Sequence, residues 1–295
     1  NRVAVLTDGI GNIDASNTSA DHAVTIDALT TERIEVLRGP AVLLFGGQAV
    51  GGAVNVIDKR IPRSVPTEAV HIDALLGYST ASNEYSGGAS VDIPVSDRVA
   101  AHVDGSYRKS RDLDIGGFLL APSLRAEAAD FAVDQQALGN SNAAANARDW
   151  AGFRGRLPNS GVETWSFGAG GAFIDDKGSL GASFNIYDTK YGIPERPDFA
   201  EPVGGEVTID LRQYRFDLRG EVELGDGLFD KMRLRVGYAN YTHAELEGAD
   251  IGTTFFSKAI ESRFELTQNE RGGWRGASGL QYQTRDFEAV GDEAF

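Results

Sequence analysis

Gln213-Tyr214-Arg215-Phe216-Asp217-Leu218-Arg219-Gly220-Glu221-Val222-Glu223-Leu224 is the stretch that decides the fold. In an extended chain Tyr214, Phe216, Leu218, Val222 and Leu224 fall on one side, and Gln213, Arg215, Asp217, Arg219, Glu221 and Glu223 on the other. Strict alternation marks a half-buried β-strand. A strand of about ten residues, apolar on one face and charged on the other, fits the wall of a membrane-spanning barrel. Residues 231–245 repeat the pattern, with Met232, Leu234, Val236 and Tyr238 set against Arg233 and Arg235. Residues 68–78, 85–95 and 98–108 carry it too, the last with His102, Asp104 and Arg108 on its polar face.

Counting outward from there, alternation predicts nine strands, at 68–78, 85–95, 98–108, 163–174, 179–188, 207–224, 231–245, 257–268 and 273–285. The connections after the second, fourth, sixth and eighth strands are short, and those at 109–162, 189–206 and 246–256 are long. Only 79–84 breaks the rule. Short turns alternating with long loops are the mark of an outer-membrane barrel, whereas a β-sandwich has no reason to sort its connections by parity. An odd number of strands leaves an edge, which lipid does not tolerate. Nine strands are therefore expected to be part of a larger barrel, with about a dozen more beyond Phe295.

Composition agrees. Of 295 residues, 28 are basic and 43 acidic, a formal charge of −15 that argues against nucleic acid as a partner. Mean hydropathy is −0.25, as expected when only every second wall position is apolar. No run reaches the length of a membrane helix. Without cysteine there is no disulfide, thiolate metal site or thiol nucleophile. No nucleophile-elbow or metalloprotease motif is present, so the chain reads as a non-enzyme with no resident cofactor required. Neither a signal peptide nor a closing element is visible, and the chain reads as an internal piece of a longer protein.

Residues 1–62 have a different grammar: strand-like runs at 2–10, 31–37 and 53–57, a polar stretch at 13–20, and glycine punctuation at Gly39, Gly46-Gly47 and Gly51-Gly52. Residues 63–67 read as a linker to the barrel at 68–295. The string Glu32-Arg33-Ile34-Glu35-Val36-Leu37-Arg38-Gly39-Pro40, then Leu44-Phe45-Gly46 and Gly51-Gly52-Ala53-Val54-Asn55-Val56-Ile57, strongly resembles the plug of TonB-dependent outer-membrane receptors. The resemblance covers about 30 residues, just where a plug would precede its first barrel strand.

It implies an αβ plug inside the lumen of a partial transmembrane barrel. It also implies location in the Gram-negative outer membrane among its lipids, and energy from the TonB complex through an N-terminal segment this chain lacks. In such a lumen Arg33, Glu35 and Arg38 are expected to meet Arg215, Glu221, Glu223 or Arg235, or else to form ordinary buried pairs. Rival readings are a structural or adhesive outer-membrane barrel and a soluble β-rich binding module, in which the 32–57 string has no role.

A narrower resemblance links Ser19-Ala20-Asp21-His22-Ala23-Val24, Tyr191-Gly192-Ile193-Pro194 and Tyr241-Thr242-His243-Ala244-Glu245-Leu246-Glu247-Gly248 to the zinc-uptake receptors of that family. It implies a metal site in which the Asp21-His22 pair of the plug's outer loop is joined by barrel His and Glu residues. Four histidines are present, at 22, 71, 102 and 243. His243 and Glu245 are two apart and share a lumen face near the outer end, while Asp21 and His22 can share an ion only on a turn or loop. Imidazole and carboxylate donors suit Zn²⁺ or a neighbour, here cargo rather than cofactor. His71 and His102 read as hydrogen-bonded contacts to the plug. Loops 109–162 and 189–206 contain no histidine, which leaves room for a metal chelate such as a ferric siderophore as cargo. Loop 109–162 reads as a mobile lid or a gate, and 189–206, with Pro194, Pro197 and Pro202, as a stiffer rim.

Overall fold

The computed structural model describes residues 3–16, 22–45, 49–194, 196–204 and 207–291. The first module is a four-stranded sheet of β1 (Val3–Thr7), β2 (Ile10–Gly11), β3 (Thr31–Leu37) and β4 (Gly52–Asp58), in the order β2-β1-β4-β3. β1 runs parallel to β4, the other pairs are antiparallel, and one 3₁₀ segment spans Gly39–Phe45. Ala4, Leu6, Val42 and Ala53 form its small core against Leu37 and Phe45.

The nine alternating segments form one antiparallel sheet. Its strands are β5 (His71–Ser79), β6 (Glu84–Ser96), β7 (Val99–Lys109), β10 (Val162–Asp175), β11 (Gly178–Gly192), β12 (Val207–Glu223), β13 (Phe229–Glu247), β14 (Asp250–Gln268) and β15 (Ala277–Gly291). Each pairs with its neighbour in this order, leaving β5 and β15 as edges. Parity holds as read: Gln213 and Arg215 are buried against the module while Tyr214 and Phe216 are exposed on the outer face. His102 and Asp104 likewise point in, and Val103 and Tyr107 out. This is a partial β-barrel with the plug module inside its curve.

The wall grips the plug largely by its backbone. Gln213 Nε2 donates to the carbonyls of Asn12 (3.1 Å) and Ile13 (3.3 Å), Arg215 Nη1 to that of Gly11 (3.1 Å), and Arg285 Nη2 to that of Asp14 (2.9 Å). The Gly11 N–H donates to Glu261 Oε2 at 3.0 Å. At the plug's exit Arg60 is 9% exposed. Its guanidinium clasps both oxygens of Asp104 on β7, at 2.8 and 2.9 Å. It also reaches Asp58 at 3.2 Å and Thr30 at 3.0 Å. Gly170 on β10 makes room for this crossing, since a β-carbon there would collide with the Arg60 carbonyl.

Three expectations need correction. Residues 109–162 are not an irregular loop: they carry β8 (Leu113–Phe118), α1 (Pro122–Ala137), α2 (Ser141–Gly152) and β9 (Arg154–Leu157), with β8 paired to β9. The helices bury Ala128, Ala132, Ala144, Ala147 and Trp150. Trp150 Nε1 donates to the Glu201 carbonyl at 3.0 Å, and Asn146 Nδ2 to that of Ala200 at 2.6 Å, so this segment and residues 196–204 form one cap. The long connection expected at 246–256 is absent, because β13 and β14 run on to a two-residue turn at Gly248-Ala249. Gly248 takes φ 62° there, a left-handed geometry that glycine adopts without strain. Finally, Arg33 and Glu35 pair with each other at 3.0 Å on the edge strand β3 and, among the described residues, form no ion pair with the wall. Glu221 is taken by Lys231 and Arg233, and Arg215 by Asp217.

Candidate metal centre

The plug's outer loop is tied at its base by one buried carboxylate. Asp14 Oδ2 accepts from Asn12 Nδ2 at 2.6 Å and from the Thr25 N–H at 3.1 Å, and Oδ1 accepts from the Ser16 N–H at 3.1 Å. Both arms of the loop are thus held by a single side chain, which sets where residues between them can reach. His22 is on that loop. Its Nδ1 lies 3.1 Å from the Ala15 carbonyl and its Nε2 lies 2.9 Å from Glu245 Oε1 of β13. His243 Nε2 is 3.7 Å from the same Glu245 oxygen, and its Nδ1 is 2.9 Å from the Tyr241 hydroxyl. Sequence positions 221 to 223 residues apart are thereby joined in one site.

The surroundings are dry. His22 is 6% exposed and His243 0%. The two rings meet edge to face at 4.4 Å, and Phe255 packs against both, at 5.1 and 5.3 Å. Ile209, Leu211 and Tyr241 line the wall here, all fully buried. His243 stands opposite Leu211, toward the end of the wall where β12 begins.

One nitrogen, oxygen or imidazole donor from each of His22, His243 and Glu245 lies within 4.8 Å of the others. In a tetrahedral zinc site, metal–ligand lengths near 2.0–2.1 Å put donors about 3.3 Å apart. The 2.9 and 3.7 Å separations bracket that value. With Nδ1 of each ring occupied by a second group, Nε2 is the atom turned toward the cluster, the arrangement in which outer partners orient metal-binding imidazoles. Three protein donors leave one position for water or an exogenous ligand. The residues therefore fit a divalent ion.

Of the four residues singled out from the sequence, His22, His243 and Glu245 converge, and Asp21 lies outside the described residues. His102 is buried between Asp92 (2.7 Å) and Asp104 (3.4 Å), one step behind the Arg60 clasp. His71 is exposed beside Glu68 and Asp73, and Asp73 in turn meets Lys59 of the plug at 2.7 Å. Tyr191, in the quoted Tyr-Gly-Ile-Pro segment, accepts from the Ala23 N–H at 2.8 Å. Tyr241 and Phe255 were not anticipated. Tyr241 shares the face of His243 by parity, but Phe255 arrives through the pairing register of β13 with β14, which no local pattern discloses.

A plug-filled β-barrel is thus the class that fold and site define, and comparison with known proteins agrees. Residues 1–53 match the family described as TonB-dependent Receptor Plug Domain. The vitamin B12 transporter BtuB of Vibrio vulnificus (strain YJ016) is 36% identical over 74 residues, 25% of this chain and 11% of that protein. Among solved structures, the copper transporter OprC superposes with a TM-score of 0.72 at 12% identity, covering 98% of this chain and 39% of that one. The siderophore receptor PirA from Pseudomonas aeruginosa gives 0.59 at 15% identity, covering 98% and 40%. The chain spans about two fifths of those solved structures, and at such identities the likeness is one of fold.

Proposed function

We propose that the chain is part of a TonB-dependent receptor of the Gram-negative outer membrane, and that it captures a scarce divalent metal, Zn²⁺ foremost, for import. The observation that carries the metal reading is the convergence of a plug histidine with a wall histidine and carboxylate, His22 with His243 and Glu245. A site shared between plug and wall suits an importer, because any movement of the plug separates the donors and releases the ion. Its position supports capture from outside: it lies toward the end of the wall that carries the folded cap. There is no bond to make or break; these residues bind and release. Energy would reach the plug from the TonB complex.

Two further cargoes are weighed by their chemistry. Imidazole also suits copper, and one solved neighbour is named a copper transporter. A ferric siderophore is favoured by the likeness to siderophore receptors and by the absence of histidine from residues 109–162 and 189–206. The test is calorimetric titration of the intact receptor in detergent with Zn²⁺, Cu²⁺ and a ferric siderophore. Saturable zinc binding that weakens at least about tenfold in both His243→Ala and Glu245→Gln supports the reading. Unchanged zinc isotherms in both variants, or binding of the ferric chelate alone, would sink it.

A further inference from the structure

At the opposite, short-turn end of the barrel three arginines stand in one row. Arg219 of β12 is directly opposite Arg235 of β13, which is directly opposite Arg263 of β14. All three sit on lumen-facing positions. Like charges directly opposite one another destabilise a sheet, and in a chain of net charge −15 such a row is not a product of composition. The next row toward the turns shows the ordinary solution: Glu221, Arg233 and Glu265 alternate in sign, with Arg233 bonded to both acids at 2.7 and 3.0 Å.

Neighbouring carboxylates are bonded to other groups, and among the described residues none forms an ion pair with Arg219 or Arg235. Glu221 and Glu265 hold Arg233. Asp217 holds Arg215 at 2.7 Å, and Glu261 accepts from the Gly11 N–H and from Gln281. Asp8 of the plug is engaged by Arg63 at 2.7 Å. Arg263 stacks over the Phe45 ring at 4.7 Å. Arg235 makes no hydrogen bond or ion pair among the described residues. Arg219 gives its Nη2 to the carbonyls of Ile61 and Pro62, while its Nη1 is buried with no hydrogen-bond partner. Beside these two guanidiniums is a cavity of about 190 Å³, lined by Arg63, Arg219, Arg233 and Arg235 with Glu221 as its one acid.

We propose that this cavity is a binding site for a tetrahedral oxyanion of the phosphate class, held by Arg219 and Arg235. Arg219 and Arg235 have no ion-pair partner among the described residues, and the nearby Asp8, shared with Arg63, offsets only part of their charge; phosphate, with more than one negative charge at neutral pH, matches the remainder. Donor forks arriving from different strands serve several oxygens at once, which a tetrahedral anion offers and a planar carboxylate does not. Since Arg219 also holds the Ile61 and Pro62 carbonyls where the plug's chain leaves the wall, the bound anion braces that exit. The site is independent of metal capture at the other end.

The test is calorimetry of the intact receptor in zwitterionic detergent, titrating sodium phosphate against sodium chloride of matched ionic strength, with sulfate as competitor. The expected result is one saturable phosphate site per chain, weakened at least about tenfold in Arg235→Gln and in Arg219→Gln by loss of a charge-assisted bond. Arg148→Gln, on the exposed face of α2, should bind as wild type. Arg235→Gln removes a like-charge contact and no hydrogen bond, so it should fold even where Arg219→Gln does not. Phosphate heats no larger than chloride heats, or phosphate binding unchanged in Arg235→Gln, overturns the proposal.

Discussion

Replacing Arg60 by methionine keeps most of the side-chain volume and deletes the charge that seats the plug's exit on β7. The variant loses two bonds to Asp104, one to Asp58 and one to Thr30. Asp104, 3% exposed, keeps only His102 Nε2 at 3.4 Å, and Asp58, 8% exposed, keeps the backbone N–H of residue 60 at 3.1 Å. Two carboxylates are then buried with little compensation. Breaking a buried pair from one side costs about 3–5 kcal/mol. Asp104→Asn should cost a similar amount by stranding the guanidinium. The double variant removes both members, so it should cost about 2–3 kcal/mol less than the sum. The readout is amide exchange of residues 55–57 in β4, which reports the free energy of opening the plug sheet. Additive losses within about 0.5 kcal/mol, or a loss below about 1 kcal/mol for Arg60→Met, would refute the claim that this clasp seats the plug.

Two other outcomes follow from the structure. Burial, with Asp58 close by, pushes the Asp8 carboxyl from 3.8 up to about 6, although Arg63, Arg219 and Arg235 pull the other way. The folded state therefore prefers Asp8 protonated; that contribution is complete below the unfolded value near 3.8 and is lost as pH rises through about 6. Melting curves of wild type and Asp8→Asn between pH 4 and 7 should diverge with rising pH, the asparagine variant losing less. Parallel curves contradict the assignment, and asparagine is chosen because it tolerates the left-handed φ of 49° at this turn. In the cap, Trp150→Ala deletes a ring that is 5% exposed together with its bond to Glu201, a loss of about 3–5 kcal/mol. Limited proteolysis should then cut within 196–204 while the barrel strands stay intact; a cap as resistant as wild type would show that the two segments hold without it.

The wall was legible because its signal is local and repeated. Alternation at 213–224 needs no knowledge of the rest of the chain, and all nine segments found that way are strands, although β14 begins at Asp250 where 257 was expected and β15 runs on to Gly291 where 285 was expected. What it missed has physical causes. α1 and α2 present mostly alanine to each other, so the apolar stripe that announces a helix is faint; helix propensity in Ala121-Pro122-Ser123-Leu124-Arg125-Ala126-Glu127-Ala128 was the signal available. The Glu247-Gly248-Ala249-Asp250 run looks like a loop by composition, yet two of its residues close a tight hairpin. At the site, parity put His243 and Glu245 on one face, but bringing His22 to them depends on the Asp14 tie and on the packing of module against wall, neither of which has a local signature. The expected salt links of Arg33 and Glu35 are not formed: β3 is the plug's edge strand, Arg33 is exposed and Glu35 half-buried, and each is already engaged by the other.

Residues 11–14 are held through main-chain groups, which every amino acid carries alike. The wall's hydrogen bonds to that segment thus do not depend on its side chains, whose duties lie elsewhere: Asp14 ties the loop, Asn12 bonds Asp14 and Thr25, and Ile13 packs against Ala239 and Ala259. The burden of inheritance falls instead on Gln213, Arg215, Glu261 and Arg285. A lineage of such proteins could therefore exchange the outer loop of its plug while reusing an unchanged set of fastenings.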